Sequence, residues 1–333
     1  MNATPLVAIQ CMTYNHAPYI EDAMNGFCMQ LTDFPFVAII VDDASTDGEP
    51  DVIKRYLDQH FDIPNARQWE TNEAHFIEAQ HLENKSCWFA VILLKHNYYQ
   101  QHKPKMPLYS KWIEDVKYIA MCEGDDYWTD STKLDRQVSF LEENHCYLAV
   151  AENSIIHFII DNSTRPFSNK KERDLTLEEL LTKRQFATAS VLYKKNIILT
   201  DSFKKIKYFY DTALWCCIVS LGPFRYLENI SSVYNRGLGV TETTEPYIWG
   251  KKMRRMNDEL CSAYSLYLGK DFFTNRIFQH DLVILEKYLS NKGKKKYLLP
   301  ALYICFKERP ISTLKAIITH IKTKHANKNR IHS

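Results

Sequence analysis

One short apolar segment of this chain ends abruptly in acidic residues. Residues 118–122 have the length and composition of a buried strand, and Glu123, Asp125 and Asp126 follow almost at once. Because unpaired charges are excluded from apolar interiors, these acids are expected at the carboxyl end of the strand, where the sheet opens. Ligands of open α/β sheets bind at that edge. The sequence therefore predicts a sheet protein with a ligand site at this strand end.

The acidic run has the ligand chemistry of a divalent cation site. Closely spaced carboxylate oxygens suit Mg²⁺ or Mn²⁺, which normally hold one or two carboxylates together with substrate phosphates. An isolated Asp-Asp pair is more often a solvated turn that caps the next helix. A second apolar run, residues 36–41, also ends in acids, Asp42 and Asp43. Two acidic strand ends in one chain favour the metal-site interpretation.

Apolar runs and helical patterns alternate along the first half of the chain. Strands are predicted at residues 6–12, 36–41, 87–94 and 118–122, and helices at residues 18–29, 50–60, 106–116 and 133–144. This alternation predicts a doubly wound, mostly parallel sheet flanked by helices, with right-handed crossovers. The polar stretch 62–86 is weakly patterned, and we expect it to be a surface excursion.

The second half of the chain is less regular. The predicted elements are a strand at 148–151, a polar loop at 162–173, a helix at 175–181 with Thr176 as its cap, strands at 187–193 and 224–234, and an apolar helix at 212–221. We expect residues 241–333 to form a helical, basic C-terminal extension.

Several classes of protein are disfavoured by what the sequence lacks. No G-x-G-x-x-G follows the first predicted strand and no G-x-x-x-x-G-K-[ST] is present, which argues against a dinucleotide oxidoreductase and a P-loop NTPase. The nine cysteines have no zinc-ligand spacing and fit reduced thiols. The first residues lack signal-peptide features, and the longest late apolar run is too short to span a bilayer. We therefore expect a cytoplasmic protein.

The last part of the chain is strongly basic. Residues 287–333 contain 12 Lys or Arg side chains and a single acid, Glu308. A helical pattern there puts on one face the apolar residues Ile311, Leu314, Ile317, Ile318 and Ile321. Basic amphipathic segments bind the interface of anionic membranes, so we expect peripheral contact with the inner face of the plasma membrane and no nucleic-acid partner. The alternative is a final helix that packs on the rest of the protein.

Residues from about 5 to 240 resemble the family 2 glycosyltransferases, inverting enzymes of the GT-A fold. The similar segments are 6–15 with its Thr-Tyr-Asn loop, 39–47 with its acidic turn, 118–128 with its DxD-like acids, and Tyr210-Asp211 before an apolar helix. The resemblance implies a GT-A catalytic domain over residues 1–240. Within it, residues 1–150 would bind the nucleotide-sugar and residues 151–240 the acceptor.

The resemblance also implies roles for individual residues. Those expected around the nucleotide are Thr13, Tyr14, Asn15, Asp42 or Asp43, Asn97 and Glu123. Glu123 stands where the DxD pattern has its first Asp, so a longer carboxylate would make the ribose contact. Asp125 matches the metal-binding residue, and the implied cofactor is Mg²⁺ or Mn²⁺. Asp126 either assists the metal ligand or is structural.

Asp211 matches the catalytic base of the family. The resemblance implies that it takes the proton of the acceptor hydroxyl while the metal neutralises the departing nucleotide diphosphate. The alternative interpretation is that Asp211 is the N-cap of the helix predicted at 212–221. The two roles are compatible, because capping fixes a side chain.

The implied activity is the transfer of one sugar from a nucleotide-sugar, UDP-linked on family grounds, to a glycan or lipid-linked glycan in cell-surface polysaccharide synthesis. The QxxRW signature of processive relatives is absent. Two alternatives stay open. A nucleotidyltransferase would need a basic or glycine-rich triphosphate loop where Thr13, Tyr14 and Asn15 stand. A catalytically inactive sugar- or nucleotide-binding module would bind the donor without turnover.

Overall fold

The computed structural model describes residues 4–206, 211–238, 244–290 and 295–331. The chain forms two compact units. The first comprises Met1–Lys205 and Leu214–Leu238, and the second comprises Ile206–Ala213 and Gly239–Ser333. The segment Ile206–Ala213, which lies within the predicted catalytic domain, groups with the C-terminal helices.

The strands of the first unit form a single sheet. They are β1 Val7–Thr13, β2 Phe36–Asp42, β3 Arg67–Glu70, β4 Ala74–Gln80, β5 Cys87–Leu94, β6 Tyr118–Met121, β7 Tyr127–Trp128, β8 Ala149–Phe158, β9 Ser163–Pro166, β10 Arg173–Asp174, β11 Val191–Lys194 and β12 Phe224–Arg236. The helices are α1 Ile20–Cys28, α2 Glu49–His60, α3 Met106–Ile113, α4 Lys133–Glu143, α5 Leu177–Thr182, α6 Asp201–Lys204 and α7 Asp211–Leu221, which begins in the second unit.

Four parallel strands make the centre of the sheet, in the order β6-β1-β2-β5. Antiparallel β4 and β3 extend the sheet beyond β5. On the other side β11 pairs antiparallel with both β6 and β8, and β12 runs parallel to β8. The four central strands are those predicted in the first half of the chain. The predicted GT-A-like fold, a parallel central sheet with flanking helices, is confirmed.

The sequence explains how the centre of the sheet is covered. Every residue of β2 is buried, as a continuous apolar run predicts for a parallel strand covered on both faces. Helix α1 contacts the sheet through Phe27, whose ring centroid lies 5.1 Å from that of Trp128. Gly26 permits this approach, because a Cβ there would lie 2.8 Å from the Trp128 backbone nitrogen. Helix α1 therefore packs directly on the strand that follows the acidic run.

The prediction that residues 62–86 form a surface excursion is wrong. The segment forms the β3–β4 hairpin, and β4 pairs antiparallel with β5. Phe76 is buried, and Trp69 stacks on it with ring centroids 4.9 Å apart. Glu78 interrupts the apolar pattern of β4, but it accepts a hydrogen bond from the Trp112 indole nitrogen at 2.8 Å. A charged residue with a partner inside the fold made this strand look like a loop.

Smaller differences occur in the second half of the chain. The predicted loop at 162–173 contains the short strands β9 and β10. The predicted strand at 187–193 begins as a 3-10 turn, Thr188–Ser190, and becomes extended only at β11. The predicted cap of α5 is confirmed: Thr176 and Glu179 each accept from the other's backbone nitrogen, a reciprocal capping box.

The described part of the second unit is helical from residue 246 onward, apart from short connections. Its helices are α8 Pro246–Leu268, α9 Lys270–Leu289, α10 Leu298–Glu308 and α11 Pro310–Ile331. Arg254 of α8 pairs with Asp281 of α9 and Glu308 of α10. Burial raises the pKa of Asp281 to about 6. Among the described helices, none has both the length and the apolar character that crossing a membrane requires.

Candidate active site

The candidate site lies at the carboxyl end of the parallel strands. β1 pairs with β2 on one side and with β6 on the other. The chain leaves β1 toward β2 and later returns to β6 on the opposite side, so the strand order reverses between β1 and β6. Open α/β sheets bind ligands in the crevice at such a switch point. The loop after Thr13 and the acids after β6 both leave the sheet here.

The acidic loop packs tightly against the end of β1. The Gly124 nitrogen donates to the Met12 carbonyl at 3.1 Å. A Cβ on Gly124 would lie 2.1 Å from the Thr13 hydroxyl oxygen, so only glycine fits at this position. The contact brings Glu123 and Asp125, on either side of Gly124, to the end of β1.

Asn15 joins the loops that follow β1 and β2. Its backbone is left-handed, with φ of 57°, a conformation in which asparagine is enriched. Its backbone nitrogen donates to the Ser45 hydroxyl at 2.8 Å, and its side-chain oxygen accepts from the Thr46 nitrogen at 2.8 Å. Tyr14 beside it is 37% exposed. The predicted Thr-Tyr-Asn residues thus lie together at the sheet edge and are fixed by the second acidic turn.

Sequence reasoning missed Glu49, the buried first residue of α2. Its carboxylate accepts from the His16 backbone nitrogen at 2.9 Å, from the Ser45 hydroxyl at 2.8 Å, and from the Thr13 hydroxyl. One carboxylate therefore binds donors from both loops. An acid in a first helical turn is already favoured by the helix dipole, so no pattern in the sequence assigns Glu49 more than that role.

His16 connects the first loop with the acidic loop. Its Nδ1 lies 3.1 Å from the Thr13 hydroxyl oxygen, and its Nε2 lies 3.9 Å from Asp125 Oδ2. No motif in the sequence singles this histidine out. Its position follows from the short turn between β1 and α1.

One oxygen of the buried Asp42 carboxylate lacks a hydrogen-bond partner among the described residues. Its Oδ2 accepts from the Ser45 nitrogen at 3.3 Å, whereas its buried Oδ1 meets no hydrogen-bond partner within the described ranges. Burial raises the pKa of Asp42 to about 6, and the charges of Glu49 and Asp43 add to the rise. A buried polar group without a partner costs about 1–3 kcal/mol, which a donor on a ligand would recover. Asp42 is thus suited to receive a base or a ribose.

Asp43 and Asn97, two further predicted nucleotide residues, hold the loop after β5. The Asp43 carboxylate accepts from the backbone nitrogens of Tyr98 and Tyr99 at 2.7 and 3.1 Å. It also pairs with Lys105 at 2.9 Å. The Asn97 side-chain nitrogen donates to the Asp43 carbonyl at 3.0 Å. Both side chains therefore hold the loop after β5, and their predicted contacts with a nucleotide stay predictions.

Asn235 of β12 fixes the acidic loop on its other side. Its side-chain nitrogen donates to the Asp125 carbonyl at 2.6 Å, and its backbone nitrogen donates to Asp126 Oδ1 at 2.9 Å. Burial, together with the charges of Asp125 and Glu123, raises the pKa of Asp126 well above its usual range. Of the two roles predicted for Asp126, these contacts favour the structural one.

The charge around the acidic loop fits a cation. Burial raises the pKa of the Cys11 thiol, and the nearby charges of Glu49, Glu123, Asp125 and Asp126 raise it further. The described residues include no group of three His, Cys, Asp or Glu side chains that would hold a metal by themselves. Mg²⁺ and Mn²⁺ need only one or two carboxylates when substrate phosphates complete the shell. The donor set is compatible with such an ion, and the role of Asp125 as its protein ligand stays a prediction.

Asp211 begins α7, and its side-chain oxygen accepts from the Thr212 nitrogen at 2.8 Å. It belongs to the second unit, whereas the other predicted site residues belong to the first. Tyr210, its predicted neighbour, lies outside the described residues. The predicted helix at 212–221 is confirmed, and the role of Asp211 as a base stays a prediction.

Known proteins share both the sequence pattern and the fold. Residues 11–72, which include Thr13, Asp42 and Asp43, match the model of glycosyl transferase family 2. This part of the chain is therefore similar to glycosyl transferase family 2. The resemblance seen in the sequence motifs is thereby confirmed.

Two curated relatives extend the match beyond this segment. Protein Rv1520 of Mycobacterium tuberculosis is 31% identical over 196 residues, which cover 57% of this chain and 47% of the relative. The chain thus spans about half the length of that relative. TuaG of Bacillus subtilis, assigned as a teichuronic acid biosynthesis glycosyltransferase, is 22% identical over 232 residues, or 68% of this chain and 77% of TuaG.

Solved structures show the same fold. TarS 1-349 of S. aureus in complex with UDP has a TM-score of 0.55 at 14% identity, covering 92% of this chain and 82% of TarS. The complex of the same protein with UDP-GlcNAc has a TM-score of 0.53 at 15% identity, covering 91% and 88%. At these identities the likeness shows a common fold and nothing more.

Proposed function

We propose that this protein is a metal-dependent inverting glycosyltransferase that moves one sugar from a UDP-sugar to a hydroxyl acceptor. One observation carries the proposal. At the strand ends around the β1–β6 switch point, a buried oxygen of Asp42 that lacks a hydrogen-bond donor among the described residues lies at the same sheet edge as the acidic loop with Asp125. The first suits a nucleoside and the second suits a metal-bound diphosphate. The UDP and UDP-GlcNAc bound by TarS support the choice of nucleotide.

The nucleotide would occupy the edge formed by the first two strands. A ring N–H of uracil, or a ribose hydroxyl, would supply the donor that Asp42 Oδ1 lacks. Tyr14, 37% exposed, offers an aromatic face beside it. Glu123, which is partly exposed, would contact the ribose.

Asp125 would hold Mg²⁺ or Mn²⁺ together with oxygens of the diphosphate. When bound, the ion neutralises the negative charge that develops on the departing UDP. The chain itself fixes the carboxylate: Gly124 packs on Thr13, and Asn235 holds the Asp125 peptide. A fixed ligand keeps the diphosphate in one place while the acceptor approaches.

The acceptor step needs a base. In an inverting transfer the acceptor oxygen bonds to the anomeric carbon from the face opposite the phosphate, and the carbon–phosphate-oxygen bond breaks with both electrons going to UDP. The acceptor proton goes to the base, for which we propose Asp211. General-base catalysis typically contributes 10²–10⁴-fold. The position of Asp211 at the start of α7, which the sequence resemblance predicts, supports this assignment.

We propose that the acceptor is a glycan or lipid-linked glycan in the synthesis of a cell-surface polysaccharide. The assignment of TuaG to teichuronic acid biosynthesis supports this choice. The basic helices of the second unit would hold the protein at the cytoplasmic face of an anionic membrane.

The predicted apolar face of α11 divides into two parts. Ile311, Leu314 and Ile318 are 71%, 51% and 42% exposed, whereas Ile317 packs against the core of the second unit. The side chain of Ile321 lies outside the described residues. The exposed part supports interfacial binding, since an aqueous surface gains nothing from three neighbouring aliphatic side chains.

A vesicle experiment tests the membrane contact. The triple change Ile311→Ser, Leu314→Ser and Ile318→Ser should reduce co-sedimentation with phosphatidylglycerol vesicles. Leu266→Ser, at a position 97% exposed on α8, is the matched control and should leave it unchanged. Equal sedimentation of the triple variant and the unchanged chain would remove the membrane contact from the proposal.

Release of nucleotide from a panel of nucleotide-sugars tests the activity. We expect UDP release from a UDP-sugar in the presence of Mn²⁺ and none after chelation with EDTA. Formation of pyrophosphate from a nucleoside triphosphate and a sugar 1-phosphate would instead indicate a nucleotidyltransferase. Binding of a UDP-sugar without release, with every acceptor tried, would indicate an inactive binding module.

A further inference from the structure

A second cluster of side chains lies at the ends of β8, β9 and β12. This arginine-aromatic patch consists of Phe158, Arg165, Phe167, Arg184, Tyr234 and Arg236. Strand register places four of its members on one face of the sheet. Arg236 pairs with Phe158, whereas Tyr234 and Arg165 both pair with Ile156, two residues before Phe158. Residues opposite each other, and residues two apart on a strand, share a face.

Each guanidinium of the patch lies near an aromatic ring. Arg165 and Arg236 both place their central carbon 5.5 Å from the centroid of Phe158. Arg184 lies 4.9 Å from the Tyr234 ring and donates to its hydroxyl at 3.2 Å. The three arginines are exposed and the rings are partly exposed. The patch therefore combines three positive charges with apolar ring faces on one surface.

The patch adjoins the acidic loop. Asn235, whose chain neighbours Tyr234 and Arg236 both belong to the patch, is the residue that donates to the Asp125 carbonyl at 2.6 Å. Side chains alternate along a strand, so Asn235 faces away from Tyr234 and Arg236, and the patch is linked to the acidic loop through the backbone of β12.

The composition of the patch selects among ligands. Guanidinium groups bind carboxylate and phosphate oxygens through paired hydrogen bonds, and aromatic rings present apolar faces on which sugars stack. A neutral glycan needs only the rings, and a small anion needs only the arginines. A surface that alternates both kinds of group matches a ligand that alternates sugar faces and negative charges.

We propose that the arginine-aromatic patch binds the acceptor, and that the acceptor is an anionic glycan with carboxylate or phosphodiester groups along its chain. This inference rests on the proposed glycosyltransferase activity and specifies the class of acceptor. Because β8 lies between β9 and β12, the backbones that carry Arg165 and Arg236 are two strand spacings, roughly 10 Å, apart. That separation lets the patch contact more than one charged group of an extended chain.

The first test compares three probes on the full-length chain by titration calorimetry, in the presence of saturating UDP and Mn²⁺. The probes are oligogalacturonate for carboxylates, an oligomer of glycerol phosphate for phosphodiesters, and a dextran oligomer of equal length as the neutral reference. We expect at least one charged probe to bind roughly tenfold or more tightly than dextran. Its affinity should fall as salt is raised, because exposed charges are screened. The tighter of the two charged probes identifies the anion.

The second test uses variants of the patch. The double change Arg165→Ala and Arg236→Ala should weaken the charged probe about tenfold, and the corresponding double lysine variant should retain part of the affinity because it keeps the charge. Arg67→Ala is the matched control, since Arg67 also lies over a ring, 5.2 Å from Trp69, but on β3 at the far edge of the sheet. It should bind the probe as the unchanged chain does.

Four results would overturn the proposal. The first two are equal affinity for dextran and both charged probes, and equal losses of affinity in the patch and control variants. The third is tighter binding of a single-stranded oligonucleotide than of either charged probe. The fourth is a loss of UDP affinity in the patch variant that equals its loss of probe affinity, which would mean that the patch binds the diphosphate. The proposed activity fails separately, if no UDP-sugar releases UDP. In that case the calorimetry still decides whether the patch binds anionic glycans.

Discussion

The carboxyl edge of the sheet is built differently in two of its regions. Around β1 and β2, the loops are bound to each other through Glu49, which is 0% exposed, and through Asn15. Around β8, β9 and β12, exposed arginines lie over partly exposed rings. Buried, satisfied polar networks fix one geometry, whereas charged groups on long exposed side chains adapt. In the proposed reaction, the first region would be a preformed site for the donor and the second an adaptable surface for the acceptor.

The largest expected effect comes from removing the carboxylate charge at the proposed donor site. Asp125→Asn should abolish turnover and weaken UDP binding in Mn²⁺, because a neutral amide is a poor ligand for a hard cation. Asp135→Asn, at an exposed position on α4, serves as the control. UDP release assays and calorimetry in Mn²⁺ measure both effects. Near-normal turnover of Asp125→Asn would remove this residue from the metal site.

Asp211→Asn sharpens the comparison by separating chemistry from donor binding. The amide keeps the size of the side chain but cannot take a proton, so kcat should fall by about 10²–10⁴-fold. The Kd for UDP should stay close to that of the unchanged chain, since the donor is assigned to the strand ends of the first unit. Single-turnover kinetics and calorimetry test this. A normal kcat would mean that Asp211 only begins the helix.

Glu49→Ala should weaken the contacts between the loops that follow β1 and β2 without altering the proposed metal ligand. It removes the acceptor for three donors from two loops, and we expect a loss of roughly 2–4 kcal/mol in the free energy of unfolding. UDP affinity should fall as well, because the loops that contact the nucleotide lose their common anchor. Glu21→Ala is the control, since that carboxylate is 54% exposed and its ion pair with Arg55 is long, at 4.0 Å. Denaturant unfolding measures the stability and calorimetry measures the UDP affinity. An unaltered UDP affinity would show that the two loops are fixed by other contacts.

The smallest expected effect is a pH dependence that originates at Asp42. Burial raises its pKa from 3.8 to about 6 in the folded protein, so the folded state binds this proton more tightly than the unfolded chain does. Its contribution to stability is therefore present below about pH 4 and is lost as the pH rises through 6. At pH 7.5, without nucleotide, Asp42→Asn should be more stable than the unchanged chain by roughly 2–3 kcal/mol, and the difference should vanish near pH 4. Urea unfolding at both pH values checks this, and parallel pH profiles would exclude Asp42 as the titrating group.

The residues that could be predicted from the sequence are those whose signal is local. The apolar runs of β1, β2, β5 and β6, and the acids that follow β2 and β6, are visible in a few consecutive letters. The β3–β4 hairpin could not be predicted, because Glu78 looks like a surface residue until its Trp112 partner is known.

The missed site residues share one property, which is dependence on distant partners. Glu49 binds Thr13 across 36 positions of the chain, and Asn235 binds Asp125 across 110. The same dependence explains why Asp42 and Asp43 could not be told apart. Both are acids at the end of β2, and only the loop after β5 determines which one is consumed by backbone contacts.

The close approach of Gly124 to Thr13 restricts how this site can evolve. A Cβ at position 124 would lie 2.1 Å from the Thr13 hydroxyl oxygen and 2.6 Å from its Cβ, so a mutation at either position changes what the other can accept. The two positions form a pair that must change together, a double step that random mutagenesis seldom takes. Selection for a new sugar donor would therefore leave this junction unaltered and accumulate changes at exposed positions such as Tyr14.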